Sequence, residues 1–174
     1  MNIVIANRQR TRKVDLRRLK QITGSLLAEL KIEQAELGIN LVAAPEMTAL
    51  NETFLQHEGS TDVITFDYSD SIGDGVRSPK KTKLEPSHVG SYNRIHGEIF
   101  ICVDEAILQS KKFKTSWQSE IVRYLVHSVL HLLGHDDRQA ADRRKMKREE
   151  NRLLRVLLRQ FSLAHLARAS KLVA

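Results

Sequence analysis

The sequence has little cysteine and no long apolar run. Cys102 is the only cysteine among 174 residues, so the chain can form neither an internal disulfide framework nor a zinc site of several thiolates. No stretch approaches the roughly 18 apolar residues of a membrane span, and the first residues lack the apolar core of a signal peptide. We therefore expect a cytoplasmic protein without membrane contact.

Acidic residues are in the minority. Asp and Glu number 21 against 28 Lys and Arg, which gives a formal net charge of +7. An excess of this sign favours an anionic partner, with nucleic acid as the first candidate, although many proteins are basic without binding one. A length of 174 residues with 41% hydrophobic content predicts a single domain over residues 1–174.

The order of the predicted elements indicates an α+β fold. Strands dominate the first part of the chain and helices the second, which predicts a small four-stranded mixed sheet packed with about five helices. The strands are expected at 2–6, 39–43, 61–66 and 97–103. The main helices are expected at 16–30, from Pro45 onward, from Thr115 to a stop at Gly134, and at 139–169.

Two basic segments stand out in this pattern. Residues 68–94 are rich in glycine and proline and read as an exposed loop insertion that carries Lys80, Lys81 and Lys83. The C-terminal helix at 139–169 has an inner face of Met146, Leu153, Leu154, Leu157, Leu158 and Phe161 and a stripe of Arg144, Arg148, Arg152, Arg155 and Arg159. Either group can contact RNA phosphates, but a charged face is commonly just solvated.

A histidine pair lies in the most apolar predicted helix. His127 and His131 are four residues apart, which places both imidazoles on one helix face, at a spacing that can chelate one metal ion. Burying unpartnered imidazoles is costly, so each must bind a metal or hydrogen-bond to a core carbonyl. The chain turns at Gly134 and can return a third ligand from His135, Asp136 or Asp137. We predict a metal site on this buried central helix.

The residue that follows the first histidine argues against one class of enzyme, the metalloproteases. Ser128 stands where metalloproteases with a His-Glu-x-x-His motif have glutamate as general base. Proteolysis by that mechanism is therefore not expected.

Several segments resemble one bacterial family. The run from His127 to Asp137, His-Ser-Val-Leu-His-Leu-Leu-Gly-His-Asp-Asp, resembles the His-Gly-x-x-His-Leu-x-Gly-Tyr-Asp-His signature of the YbeY family, the rRNA-maturation endoribonucleases. Residues 50–54, 60–66 and 97–102 resemble that family's Leu-Asn-x-x-Tyr, Pro-Thr-Asp-Val-Leu-Ser-Phe and Gly-Asp-Ile-x-Ile-Cys blocks. The resemblance covers roughly residues 1–158, with the blocks in the same order.

The resemblance implies a function and a ligand set. It implies a zinc-dependent, single-strand-directed endoribonuclease that acts in rRNA maturation and ribosome quality control. Its partners would be rRNA precursors and ribosomal proteins, with neither DNA nor membrane. His127, His131 and Asp137 would bind one zinc ion and take part in catalysis through it.

Two departures from the family pattern bear on this expectation. Asp137 replaces the family's third histidine, and His135, which replaces a tyrosine, is the rival third ligand. Leu55 replaces an arginine implicated in RNA cleavage, so a metal-stabilised ribosome assembly factor with little nuclease activity is an alternative. A metallohydrolase of small substrates is a third hypothesis, which the net positive charge disfavours. Besides the ligands, only Asp136 and His135 are nearby candidates for a general base.

Overall fold

The expected α+β fold is confirmed. A computed structural model describes residues 1–69 and 94–167, and within these ranges the chain forms a four-stranded mixed sheet and five α-helices. The strands are β1 (Asn2–Asn7), β2 (Gln34–Val42), β3 (Val63–Asp67) and β4 (Arg94–Cys102). The helices are α1 (Leu16–Glu29), α2 (Ala44–Leu50), α3 (Val103–Phe113), α4 (Trp117–Leu132) and α5 (Ala140–Gln160).

The sheet separates two apolar clusters. Parallel pairing joins β1 to β2 and β2 to β4, and β3 pairs antiparallel with β4, so the order is β1-β2-β4-β3. Successive side chains of a strand face opposite sides of a sheet. Ile99 and Ile101 therefore join the large cluster with α1, α4 and α5, while Phe100 and Cys102 join a small cluster with Met47 of α2. Helix α4 is packed against both the sheet and α5.

Local capping sets where the helices begin. The Asp15 carboxylate accepts a hydrogen bond from the backbone N–H of Arg18 at 2.9 Å, which starts α1. The cap of α4 is Ser116, whose hydroxyl accepts from the N–H of Ser119 at 3.2 Å, so α4 begins just after Thr115, the residue at which we expected it.

The start of β2 and the whole of α3 differ from the prediction. Strand β2 begins at Gln34 and not at Ile39, because its first half pairs with β1 and β4 and buries the alternate side chains of Ala35 and Leu37 in the large cluster. No helix was predicted for Val103–Phe113, which forms α3. The segment at the start of α3 packs Val103 and Ala106 into the large cluster.

The C-terminal helix ends earlier than predicted. Helix α5 stops at Gln160, and Phe161 takes an extended conformation in place of the helix expected up to Ala169. The following turn buries Leu163 and Leu166, and the carbonyl of Leu166 accepts from the N–H of Asp15 at 2.8 Å. Leu158, predicted on the inner face, is 50% exposed. Because α5 ends at Gln160, the turn that contains these two leucines can lie against the N-terminal end of α1.

Part of the predicted insertion lies outside the described residues. Residues 70–93, with Lys80, Lys81 and Lys83, are in that part of the chain, and β4 already begins at Arg94. In residues 1–69 and 94–167, no helix combines the length and apolar character that crossing a bilayer requires.

Gly97 allows the end of α4 to approach the sheet. A Cβ atom at this position of β4 would lie 2.6 Å from the carbonyl oxygen of Phe66 and 2.7 Å from a methyl carbon of Leu132. Leu132 is the last residue of α4 and follows His131 directly. Only glycine fits between these neighbours, so Gly97 fixes the position of the histidine-bearing end of α4.

We predict that Gly97→Ala lowers the free energy of unfolding by about 1–3 kcal/mol, because the backbone of β3 cannot move aside without breaking its pairing with β4. Urea denaturation followed by circular dichroism measures this change. Gly24→Ala is the matched control, since apart from its chain neighbours and the adjoining backbone of α1 no atom lies within 4 Å of its added methyl group. That variant should gain about 0.5–1 kcal/mol. Equal effects at both positions would contradict the close-approach argument.

Candidate metal centre

Helix α4 brings the two predicted histidines together. The Nε2 atoms of His127 and His131 lie 3.0 Å apart, and the ring planes are 86° from parallel. Two nitrogens bound to one zinc ion at 2.0–2.1 Å with a tetrahedral angle are separated by roughly 3.3 Å. Both histidines are half-buried on a helix most of whose residues are buried. Its geometry therefore suits two ligands of one ion.

The other ring nitrogens have their own partners. His131 Nδ1 lies 2.9 Å from the carbonyl oxygen of His135, and His127 Nδ1 lies 3.3 Å from a carboxylate oxygen of Glu150. A carbonyl or an ionised carboxylate only accepts, so each Nδ1 must donate. When both rings are neutral, the two Nε2 lone pairs therefore face each other. That arrangement is unfavourable unless a cation lies between them, and it matches the contacts that orient histidine ligands of metals.

The protonation state of one ring supports the same conclusion. Burial, and the neighbouring imidazole of His127, lower the pKa of His131. Its ring is consequently neutral at neutral pH, the form that binds a metal ion through its lone pair.

A tight turn after α4 returns the chain towards the histidines. Gly134 has a φ of +83° and donates to the carbonyl of His131 at 2.9 Å, and His135 donates to the carbonyl of Leu130 at 3.0 Å. Asp136 Oδ1 then accepts from the backbone N–H groups of Asp137 and Arg138 at 2.7 and 3.0 Å. These hydrogen bonds hold the backbone of the turn that carries Asp137.

Asp137 is the third member of the cluster. One carboxylate oxygen of Asp137 and one ring nitrogen each of His127 and His131 all lie within 4.8 Å of one another. Among the described residues, this is the group of three that can hold a metal ion, and the ring of His135 is not in it. His135 contributes its backbone carbonyl, which contacts His131. The arrangement of two imidazoles and one carboxylate fits a zinc ion with a further position for water or substrate.

The carboxylate of Asp136 has a different environment. The backbone N–H of Arg138 is the main cause of its lowered pKa, and the N–H of Asp137 acts in the same direction. This group is therefore ionised and engaged in the turn, which makes it a poor proton acceptor compared with a carboxylate of raised pKa.

Glu150 is the residue of the site that sequence analysis missed. It lies on α5 and is 4% exposed. One of its carboxylate oxygens accepts hydrogen bonds from Arg123 Nη1 at 2.6 Å and from Lys147 Nζ at 2.8 Å. Burial alone would raise its pKa, but hydrogen bonds from His127, Lys147 and Arg123 lower it to about 2. Glu150 is thus a buried anion that holds His127 in place.

The sequence does contain one indication that Glu150 is buried and needs a partner. It falls between Met146 and Leu154, at four-residue spacing from each, and both of these are buried core residues. A carboxylate on the apolar face of a helix needs a partner. That partner cannot be found from the sequence, because His127 is on another helix.

The fold and the cluster together define a class: a small α+β protein with a candidate divalent-metal centre at the C-terminal end of a central helix. The family model described as endoribonuclease YbeY matches residues 4–158. The chain belongs to the YbeY family.

Individual relatives agree with this assignment. Each of the following is described as endoribonuclease YbeY. The protein from Salinibacter ruber is 30% identical over 148 residues, which are 85% of this chain and 87% of that protein. The protein from Finegoldia magna is 30% identical over 159 residues, 89% of this chain and 93% of that one. The match to the Chlorobium phaeovibrioides protein, at 32% identity, spans 64% of this chain and 61% of its relative's length.

A solved structure has the same fold. The solution structure of TM1509 from Thermotoga maritima superimposes with a TM-score of 0.62 over 99% of both chains, at 19% sequence identity. At this identity the similarity shows the fold alone.

Proposed function

We propose that the protein is a metal-dependent endoribonuclease that processes rRNA precursors. The observation that carries this proposal is the pair of Nε2 atoms 3.0 Å apart in a chain that belongs to the YbeY family. The net charge of +7 suits an RNA substrate. Single-stranded RNA regions, a role in ribosome quality control, and ribosomal proteins as partners follow from the family resemblance.

We further propose that His127, His131 and Asp137 bind one zinc ion and act in catalysis through it. Zinc bound there would polarise a phosphoryl oxygen and activate a water molecule as nucleophile. The chain's own contribution is orientation: Glu150 fixes the ring of His127, and the carbonyl of His135 fixes the ring of His131. Half-burial of the cluster limits the access of water to the reacting groups.

One observation favours a second function. Leu55, at the end of the short π-helix Asn51–Leu55, is 37% exposed and presents an alkyl side chain where the family resemblance implies an arginine. Without that positive charge the developing charge on a phosphate has one partner fewer. A metal-stabilised ribosome assembly factor with weak nuclease activity is therefore the alternative.

The deciding experiment incubates purified protein with structured rRNA fragments, with and without a chelator, beside His131→Ala. The nuclease proposal expects cleavage that stops with the chelator and falls by more than about 100-fold in the variant, because one ligand is lost. Leu55→Arg should raise the cleavage rate. Binding of RNA without any cleavage by the native protein would support the assembly factor and contradict the nuclease.

A further inference from the structure

A basic groove lies between α4 and α5, and one of its lining residues, Arg123, is one helical turn from His127. Its volume is about 420 Å³. Arg123 and Ser119 line it from α4, and Arg148, Asn151 and Arg155 line it from α5. Leu158, which is half exposed, lies at the far end. The groove therefore combines three guanidinium groups with two uncharged polar side chains.

The arginines predicted to share one face of α5 have different surroundings in the structure. Arg152 is engaged by Glu29 at 2.6 Å and by Glu149 at 2.8 Å, on the side of α5 that faces α1. Arg148 and Arg155 are on the side that lines the groove, and within the described residues neither forms an ion pair. Arg155 donates through Nε to the carbonyl of Asn151 at 3.2 Å, which leaves its two terminal nitrogens for a ligand.

The groove and the candidate metal centre are linked by one buried carboxylate. Arg123 Nη1 contacts one oxygen of Glu150 at 2.6 Å, and His127 Nδ1 contacts the other at 3.3 Å. One buried carboxylate therefore joins the wall of the groove to the first histidine. A chain that lay along the groove would reach the half-buried ring of His127 at its end.

The spacing of the free guanidinium groups fits an extended polyanion. Arg148 and Arg155 are seven residues apart, which is about 10.5 Å along a helix axis. Two cations at this separation can contact different phosphates of one strand, and Asn151 between them is an uncharged donor of the kind that contacts phosphate or ribose. Glu150 and Glu120, the carboxylates that pair with Arg123, are buried, so neither faces such a ligand.

We propose that this groove binds the phosphate backbone of the RNA strand whose scissile bond lies at the His127–His131 pair. The inference rests on the proposed function, since it is the reaction at the histidines that favours RNA over an acidic protein segment. Arg148 and Arg155 hold the strand beyond the cleavage point. They contact substrate without taking part in the chemistry.

The test measures the affinity of Arg148→Gln/Arg155→Gln for a short single-stranded RNA by fluorescence anisotropy at several salt concentrations. We expect a Kd about tenfold higher, and a slope of log K against log salt about 1.4 smaller in magnitude, since each single-strand phosphate contributes about 0.7. Arg17→Gln/Lys20→Gln, at two exposed residues of α1 outside the groove, is the control of equal charge change. Zinc content and the circular dichroism spectrum should not change.

The outcomes separate this inference from the nuclease proposal. If the native protein binds RNA through the groove but does not cut it, the groove assignment stands and the nuclease proposal fails. If cleavage occurs and the double variant binds RNA as Arg17→Gln/Lys20→Gln does, the groove assignment is wrong. Displacement of RNA by a polyglutamate peptide at equal charge concentration would also overturn it. Should the double variant unfold, each single variant carries the same test with a slope change of about 0.7.

Discussion

Asp137→Ala is expected to weaken zinc binding by more than about 100-fold, whereas His135→Ala should leave the affinity within about twofold. Loss of an outer contact to a ligand already costs 10–100-fold, so loss of a ligand costs more. The carboxylate of Asp137 lies in the cluster with the two histidines, while His135 contacts His131 through its backbone carbonyl, which alanine retains. Competition with a chromophoric chelator measures both affinities.

His131→Ala provides the reference for a lost ligand in the same titration. If His135→Ala falls to the level of His131→Ala while Asp137→Ala keeps its zinc, the third ligand is the imidazole and the proposed set is wrong. Asp137→His gives an independent reading, because imidazole is also a zinc ligand and should restore binding that alanine abolishes.

The part of the site that lies within one short segment of the chain could be predicted from the sequence. The four-residue spacing of His127 and His131, followed by Gly134, depends only on helix geometry, and the structure brings the two rings together. The contact of Glu150 with His127 joins residues 23 apart on different helices. Periodicity describes one helix at a time, so it cannot identify such a partner.

The same limit applies to the arginines of α5. A stripe at helical spacing shows that the side chains share a face, but not which of them meets a carboxylate. Arg152 meets Glu29 of α1, and Arg148 faces the groove, although the two are only one helical turn apart. The neighbouring helices decide this difference, and their positions depend on the whole fold.

The errors in the fold have tertiary causes as well. The first residues of β2, Gln34 to Leu37, include Gln and Glu, which are more common in helices, yet this segment is a strand because β1 and β4 pair with it on both sides. The early end of α5 likewise depends on a contact with Asp15, near the other end of the chain. In both places, contacts with distant parts of the chain override the local secondary-structure propensity. Such contacts cannot be predicted from the sequence pattern.

Glu150→Gln is the second variant with a large expected effect. We expect the free energy of unfolding of the metal-free protein to fall by about 3 kcal/mol at neutral pH, because the ionised form is stabilised by a lowering of its pKa from 4.5 to about 2. Glutamine keeps the size of the side chain but leaves Arg123 without the anion. Zinc affinity should fall by about 10–100-fold, since His127 loses the partner that orients it.

Glu149→Gln makes the same change one residue away and is the matched control. Glu149 is a partly exposed partner of Arg152, so its loss should cost less than about 1 kcal/mol and leave zinc affinity unchanged. Urea denaturation and the chelator titration give the two quantities. Equal zinc affinity in the two variants would show that Glu150 supports the fold without orienting His127.

The pH dependence separates the charge of Glu150 from its packing. A group whose pKa is lower in the folded protein stabilises it above the unfolded value of 4.5, and this stabilisation is lost as the pH falls towards about 2. The stability difference between the native protein and Glu150→Gln should therefore be largest above pH 4.5 and shrink over that interval. A difference that did not change with pH would mean that glutamine disturbs the packing around Met146 and Leu154, and that the ion pair with Arg123 contributes little.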